Sequence, residues 1–179
     1  MSETDKSPRT RSSSGQRTEC GEFPIHISRD GTWWHEGSPI RRQPLVKLFA
    51  SVLHRAEDGS FQLVTPAERG RITVEDAPFI AVELTVAGEG RDQVLTFRTN
   101  VDDSVSADED HPIRVWTDKV TQAPNPYILV KPGLEARLTR AVFYQLVESG
   151  REERVGQATQ FGVWSKGKFF PLGDTGESA

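Results

Sequence analysis

Ile80, Val82, Leu84 and Val86 alternate along the chain, and past a turn at Gly88 and Gly90 the alternation resumes with Leu95 and Phe97. A period of two over that length specifies strands with one apolar face, so the spacing predicts a long antiparallel hairpin. A hairpin face of this kind must be covered by a second layer, and the remaining sequence supplies two stretches of helical period to cover it. Leu45, Leu48, Phe49, Val52 and Leu53 recur at intervals of three and four behind Pro44, which predicts a helix from about Gln43 to His54. Phe143, Leu146 and Val147 predict a second, from about Arg140 to Ser149, stopped by Gly150. The expected fold is α+β and rich in antiparallel sheet, with two main amphipathic helices.

Other strands are bracketed by turn residues. Asp30-Gly31 separates two strand-like runs in FPIHISRDGTWWHEG, and a two-residue loop there would set Ile27 opposite Trp34, His26 opposite His35 and Ser28 opposite Trp33. That register puts Ile25, Ile27 and Trp34 on the core face and leaves Trp33 partly exposed. Asp58-Gly59 marks a turn before Phe61 and Leu63, and Ile72 and Val74 alternate beyond the break from Pro66 to Gly70. Tyr127 to Val130 and Leu134 to Leu138 flank Pro132-Gly133, and GVWSKGKFFPLG closes the chain with a hairpin turning at Lys166-Gly167.

The two halves share a pattern. A glycine turn, a strand, an arginine, a helix and a hairpin with Gly-x-Phe occur around Gly31, Arg42, Leu45/Leu48 and Gly59/Phe61. They recur around Gly133, Arg140, Phe143/Leu146 and Gly167/Phe169. A unit of hairpin plus one helix cannot bury its own apolar face, so two lobes built from a repeated hairpin-helix-hairpin motif are expected to pack together. The expected divisions are a disordered tail over 1–22, an N-terminal lobe over 23–77, a C-terminal lobe over 78–173 and a short tail over 174–179. The first tail is almost wholly polar and cannot offset its ordering entropy by burial.

Composition limits the function classes. The chain has 179 residues and a formal net charge of −4, which predicts no general attraction to nucleic acid or anionic membrane. No apolar run is long enough to span a bilayer and the N-terminus carries no apolar secretion signal, so a cytoplasmic location is expected. The single cysteine, Cys20, leaves no disulfide or cysteine-based zinc site, and it reads as an exposed bystander.

The segments DGTWWHEGSPIRR, LVKLFASVLHRAEDGSFQLVTP, ITVEDAPFIAVEL, LTFRTNV, HPIRVW, PYILVKPGLEARLTRAVFYQLVE and GVWSKGKFFPLG, in that order, resemble the bacterial domain-of-unknown-function family 1285. The similarity covers about residues 21 to 173. It implies an α+β protein with a repeated motif and two compact lobes, linked to signalling or regulation. It lends no catalytic residue and implies no cofactor.

No nucleophile elbow, dinucleotide-binding glycine pattern or Walker loop occurs, and no catalytic residue is assigned. Glu75 and Asp76 are carboxylates able to do acid/base work, but they read as a strand stop or as partners of Arg69, Arg71 or Arg98. No metal or other cofactor is expected. The alternative metal set, which would serve a small metal-assisted hydrolase together with His111, is His26 and His35 across the first hairpin with Asp102, Asp103 and Asp108 of the acidic loop. Arg42 and Arg140, each just before a helix, are expected to meet at the seam between the repeats, with Trp33 and Tyr127 as nearby aromatics. That constellation would hold a small anionic ligand or a partner's carboxylate. The reading is therefore a non-enzymatic regulatory or ligand-binding module, with an adaptor for a protein partner as another alternative and homo-oligomers allowed.

Overall fold

In the computed structural model, which describes residues 18–174 and the side chains of 21–173, the chain is mostly strand with two short helices. The N-terminal lobe runs β1 (Thr18–Ile27), β2 (Trp33–His35), β3 (Ser38–Pro39), α1 (Gln43–Ser51), β4 (Leu53–Arg55), β5 (Phe61–Val64) and β6 (Glu68–Val74). Its sheet has the order β3-β2-β1-β6-β5-β4. The C-terminal lobe continues with β7 (Phe79–Ala87), β8 (Val94–Thr99), β9 (Ser104–Ser106), β10 (Ile113–Thr117), β11 (Pro124–Lys131) and β12 (Leu134–Leu138), in the order β10-β11-β12-β7-β8-β9. Then come α2 (Arg140–Glu148) and a three-stranded sheet of β13 (Arg151–Val155), β14 (Ala158–Ser165) and β15 (Lys168–Asp174).

The two six-stranded sheets are alike. Each joins two antiparallel three-stranded meanders through one parallel pair, β1 with β6 and β12 with β7. One apolar cluster runs through both lobes, from Ile27 and Trp33 to Phe79, Phe97, Ile128, Leu146 and Val163, all almost fully buried. The last sheet is pinned to this core by Ser165, whose buried hydroxyl accepts from the Leu95 amide at 3.0 Å and donates to the Ala107 carbonyl at 2.7 Å. With both roles of the hydroxyl filled, the cost of taking it out of water is offset.

The first hairpin differs from the expected register. Ile27 faces Trp33, His26 faces Trp34 and Ile25 faces His35, because the loop holds three residues, Arg29, Asp30 and Gly31. One extra loop residue moves every side chain of one strand to the other face. Trp33 is consequently the core residue, 1% exposed and stacked on Phe49 at 6.2 Å, while Trp34 stacks on His26. β1 also begins at Thr18, ahead of the expected Phe23, and pairs with β6 from Glu68 onward. The rest of the predicted tails, residues 1–17 and 175–179, and the side chain of Cys20 lie outside the described residues.

The first helix stops at Ser51, short of the expected His54. Leu53 is claimed by the β4–β5 hairpin, where it pairs with Leu63 around the Asp58-Gly59 turn. The buried face of α1 is Val46 and Ala50, and Leu48 is 59% exposed. In α2 the buried residues are Val142 and Leu146, and the Thr139 side chain caps the helix by accepting from the Val142 amide. Leu48 and Leu146 are thus not equivalent core positions, nor are Arg42 and Arg140: Arg42 is the N-cap of α1, and Arg140 already lies inside α2.

The long hairpin forms, but a bulge between Ala81 and Glu83 resets its alternation. Phe79 and Ala81 face the core before it and Leu84 after it, so Val82 turns outward, whereas Val86 keeps the face of Leu84, opposite Leu95, and is half-exposed towards the turn end of the hairpin. Glu83 faces Arg98 across the hairpin at ion-pair distance.

Candidate functional site

A concavity that crosses from one lobe to the other has a volume of about 660 Å³, within the range of small-molecule sites. The N-terminal lobe contributes Arg29 and Asp30 from the β1–β2 loop. The C-terminal lobe contributes the residues after β10, the start of β11, the end of β12 and the first turns of α2, including Arg137, Arg140, Phe143 and Tyr144.

The β1–β2 loop is held on every side. Asp30 Oδ1 accepts from Ser28 Oγ at 2.6 Å and from the Thr32 amide at 3.0 Å, and Trp34 Nε1 donates to Ser28 Oγ. The Arg29 amide donates to Glu75 Oε2 at 2.8 Å. Across the lobe boundary, Asn100 Nδ2 donates to the Gly31 carbonyl while Asn100 Oδ1 accepts from the Ile80 amide. Gln43 of α1 donates to the Asn100 carbonyl, and Lys47 pairs with Asp102. These contacts hold the loop backbone and leave the Arg29 side chain free to face the cleft.

The three arginines that line the cleft, Arg29, Arg137 and Arg140, differ in their partners, and Arg114 lies outside that lining. Arg137 donates to Asp76 at 3.0 Å, and Tyr127 donates its phenol to the other oxygen of the same carboxylate at 2.8 Å. Arg114 forms two bonds to Glu135, at 2.6 and 2.8 Å, and lies over the Tyr127 ring. Burial, reinforced by Asp76, pushes the Tyr127 phenol above its ordinary pKa, so it stays a proton donor. This network ties the linker carboxylate Asp76 to the C-terminal sheet and is structural. Arg29 and Arg140, in contrast, form no ion pair or hydrogen bond through their guanidinium groups among the described residues.

Of the ligand-binding and metal-site residues expected from the sequence, only Arg140 lines the cleft. Arg42 is exposed at the head of α1 and lies elsewhere, because the two helices are offset in register. Trp33 is core, and Tyr127 is only 3% exposed with its hydroxyl engaged by Asp76. Arg29 and Arg137 were not anticipated. The signal for Arg29 was its place beside the Asp30-Gly31 turn, and for Arg137 its place between the apolar positions Ala136 and Leu138.

The alternative metal set does not assemble. His26 and His35 sit on opposite faces of the hairpin, Asp102 pairs with Lys47 and Arg98, and Asp103 pairs with Lys131. Asp108 accepts from His111 Nδ1 at 2.9 Å and from Lys166 at 3.1 Å. Three carboxylates of the acidic loop, Asp102, Asp103 and Asp108, are thus each paired with specific cations. Among the described residues no three His, Cys, Asp or Glu side chains gather as a metal site.

Asp108 gives a pH prediction. Burial opposes its ionisation, but the His111 ring, the Lys166 ammonium and the His111 amide outweigh it and lower its pKa from 3.8 to about 2. A carboxylate with a depressed folded-state pKa contributes stability above its ordinary pKa, and that contribution disappears as pH falls through about 2. Asp108→Asn is expected to lose about 1–2 kcal/mol at pH 6, and the gap to wild type should close between pH 4 and 2. Urea titrations across that range check it; a gap independent of pH would contradict the assignment.

Comparison with known proteins agrees with the architecture. Residues 15–77 match the N-terminal domain, and residues 78–172 the C-terminal domain, of the family described as protein of unknown function DUF1285. The fold is similar to the crystal structure of a DUF1285 family protein from Silicibacter pomeroyi DSS-3. The TM-score is 0.81 and the identity 47%, over 89% of this chain and 85% of that one. It is also similar to a DUF1285 family protein from Shewanella baltica OS155, with a TM-score of 0.56 and 27% identity over 71% of this chain and 92% of that one. No curated protein matches the chain. With both domains matched in order along nearly its whole described length, the chain belongs to the DUF1285 family.

Proposed function

We propose that this chain is a regulatory ligand-binding module, not an enzyme, and that it holds a small anion in the cleft between its lobes. The observation that carries this reading is the pair Arg29 and Arg140: one from each lobe, both lining a single cleft, neither neutralised among the described residues. A guanidinium cannot shed its charge, and its planar fork matches carboxylate and phosphate geometry. The first turn of α2 adds a weaker attraction of the same sign. An anion there would bridge the lobes, which suits a signalling or regulatory role. The order of three strands, a helix and three strands occurs as β1 to β6 with α1 and again as β10 to β15 with α2, which supports a repeated motif.

The test is thermal shift at low ionic strength with inorganic phosphate and small carboxylates. A ligand at a hundred times its Kd stabilises by about 2.7 kcal/mol. Arg29→Met and Arg140→Met are expected to fold with stability within about 0.5 kcal/mol of wild type, because no ion pair is broken, and to lose the shift. Shifts that survive in both variants, or no shift with any anion, would refute the site.

A further inference from the structure

The cleft holds carboxylates as well as guanidiniums. Asp30 and Asp118 line it along with Arg29 and Arg140. Asp118 Oδ1 accepts from the amides of Val120 and Thr121, both at 2.8 Å, as Asp30 Oδ1 accepts from Ser28 Oγ and the Thr32 amide. These bonds fix each carboxylate in place without supplying a counter-charge, and neither aspartate has a cationic partner among the described residues. The same bonds hold both pKa values below the ordinary carboxylate range, the Ser28 hydroxyl foremost for Asp30 and the Thr121 amide foremost for Asp118. Both are charged near neutral pH.

Two cations and two carboxylates therefore share one cleft without pairing. Had opposite charges come within reach across it, they would have formed ion pairs such as Arg137 makes with Asp76. The surface is bipolar, and it discriminates. A simple anion satisfies the guanidiniums but is repelled by the carboxylates, whereas a ligand carrying both charges satisfies both. The same cleft is also lined by the apolar surfaces of Leu138, Phe143 and Tyr144.

We propose that the ligand is a free α-amino acid with an apolar side chain. Its carboxylate is held by Arg29 and Arg140, its ammonium by Asp30 and Asp118, and its side chain by Phe143 and Tyr144. This rests on the anion reading above and narrows it.

Calorimetry and thermal shift on the full chain at pH 7 and low salt test it, with phenylalanine and leucine against 3-phenylpropionate and 4-methylpentanoate, which lack only the amine. An amino acid is expected to bind at least tenfold tighter than its deaminated counterpart. Asp118→Asn and Asp30→Asn keep the acceptor oxygen that fixes the loop; they should erase that advantage while leaving binding of the deaminated acid unchanged or improved. Arg140→Met should abolish both. Deaminated acids binding as tightly as the amino acids, in an Arg140-dependent way, would overturn this inference and leave the anion site standing. So would phosphate binding with no response to either amino acid. If no probe binds, both readings fall together.

Discussion

Leu146→Ala is expected to cost about 2–5 kcal/mol of stability, and Leu48→Ala no more than about 0.5. Both leucines lie in nine-residue helices and both were placed on the apolar stripe by periodicity, so the contrast isolates burial. Leu146 is fully buried within the cluster that spans the lobes, where α2 packs on β7. Removing its outer carbons loses the transfer energy of those atoms and leaves a cavity that the rigid sheet cannot fill. Leu48 is 59% exposed, and alanine has the better helix propensity, so shortening it loses little packing and gains a little backbone preference. Denaturant midpoints at unchanged m values decide the matter. Equal shifts for the two variants would mean that the helix faces are misassigned.

The same pair shows where sequence pattern lost its grip. In a helix of nine residues two buried positions suffice to seat it, and a stripe of five apolar residues can be aligned with more than one face. Val52 and Leu53 extended the helical period on paper, yet Leu53 pairs in a strand with Leu63. Long-range pairing overrode local periodicity there. The long hairpin forms as expected but one of its face assignments fails, because an alternating run carries no mark of the bulge between Ala81 and Glu83 that turns Val82 outward. Turns were the most legible features: Asp58-Gly59 and Lys166-Gly167 both connect strands as their residue types dictate.

The candidate site was legible only in kind. The repeated pattern led to the expectation that arginines meet at the seam between the repeats, and Arg140 lines the cleft between the lobes. Its expected partner Arg42 does not, since the matching of one helix to the other was out of step. The arginine that replaces it, Arg29, sits on a loop whose length was misjudged by one residue. That single residue also buried Trp33 and separated His26 from His35, so one error in turn geometry accounts for three of the misplaced site residues.

Gly31 is the residue on which that loop depends, and Gly31→Ala is expected to cost about 2–5 kcal/mol and to weaken the binding of any ligand in the cleft. Two separate causes add. The backbone at Gly31 has φ +85°, a conformation that costs an alanine about 1–2 kcal/mol. A Cβ at this position would also stand 2.6 Å from Ile80 Cγ1 and 2.9 Å from Asn100 Nδ2, inside any ordinary contact, so the loop must withdraw from the C-terminal lobe. Overpacking of this kind adds roughly 1–3 kcal/mol. Gly37 separates the terms, because its φ is +80° and nothing lies within 4 Å of where its Cβ would be. Gly37→Ala should show the backbone cost alone. The clash is tested by a double-mutant cycle: in an Ile80→Ala background, Gly31→Ala is expected to lose a part of its excess over Gly37→Ala, since the nearest atom is gone. Because withdrawal of the loop moves Arg29 and Asp30 away from Arg140, the single variant should also bind anions more weakly than its remaining stability explains. Equal costs for Gly31→Ala and Gly37→Ala would show that the lobes do not meet at this loop, and the cleft between them would then lose its N-terminal wall.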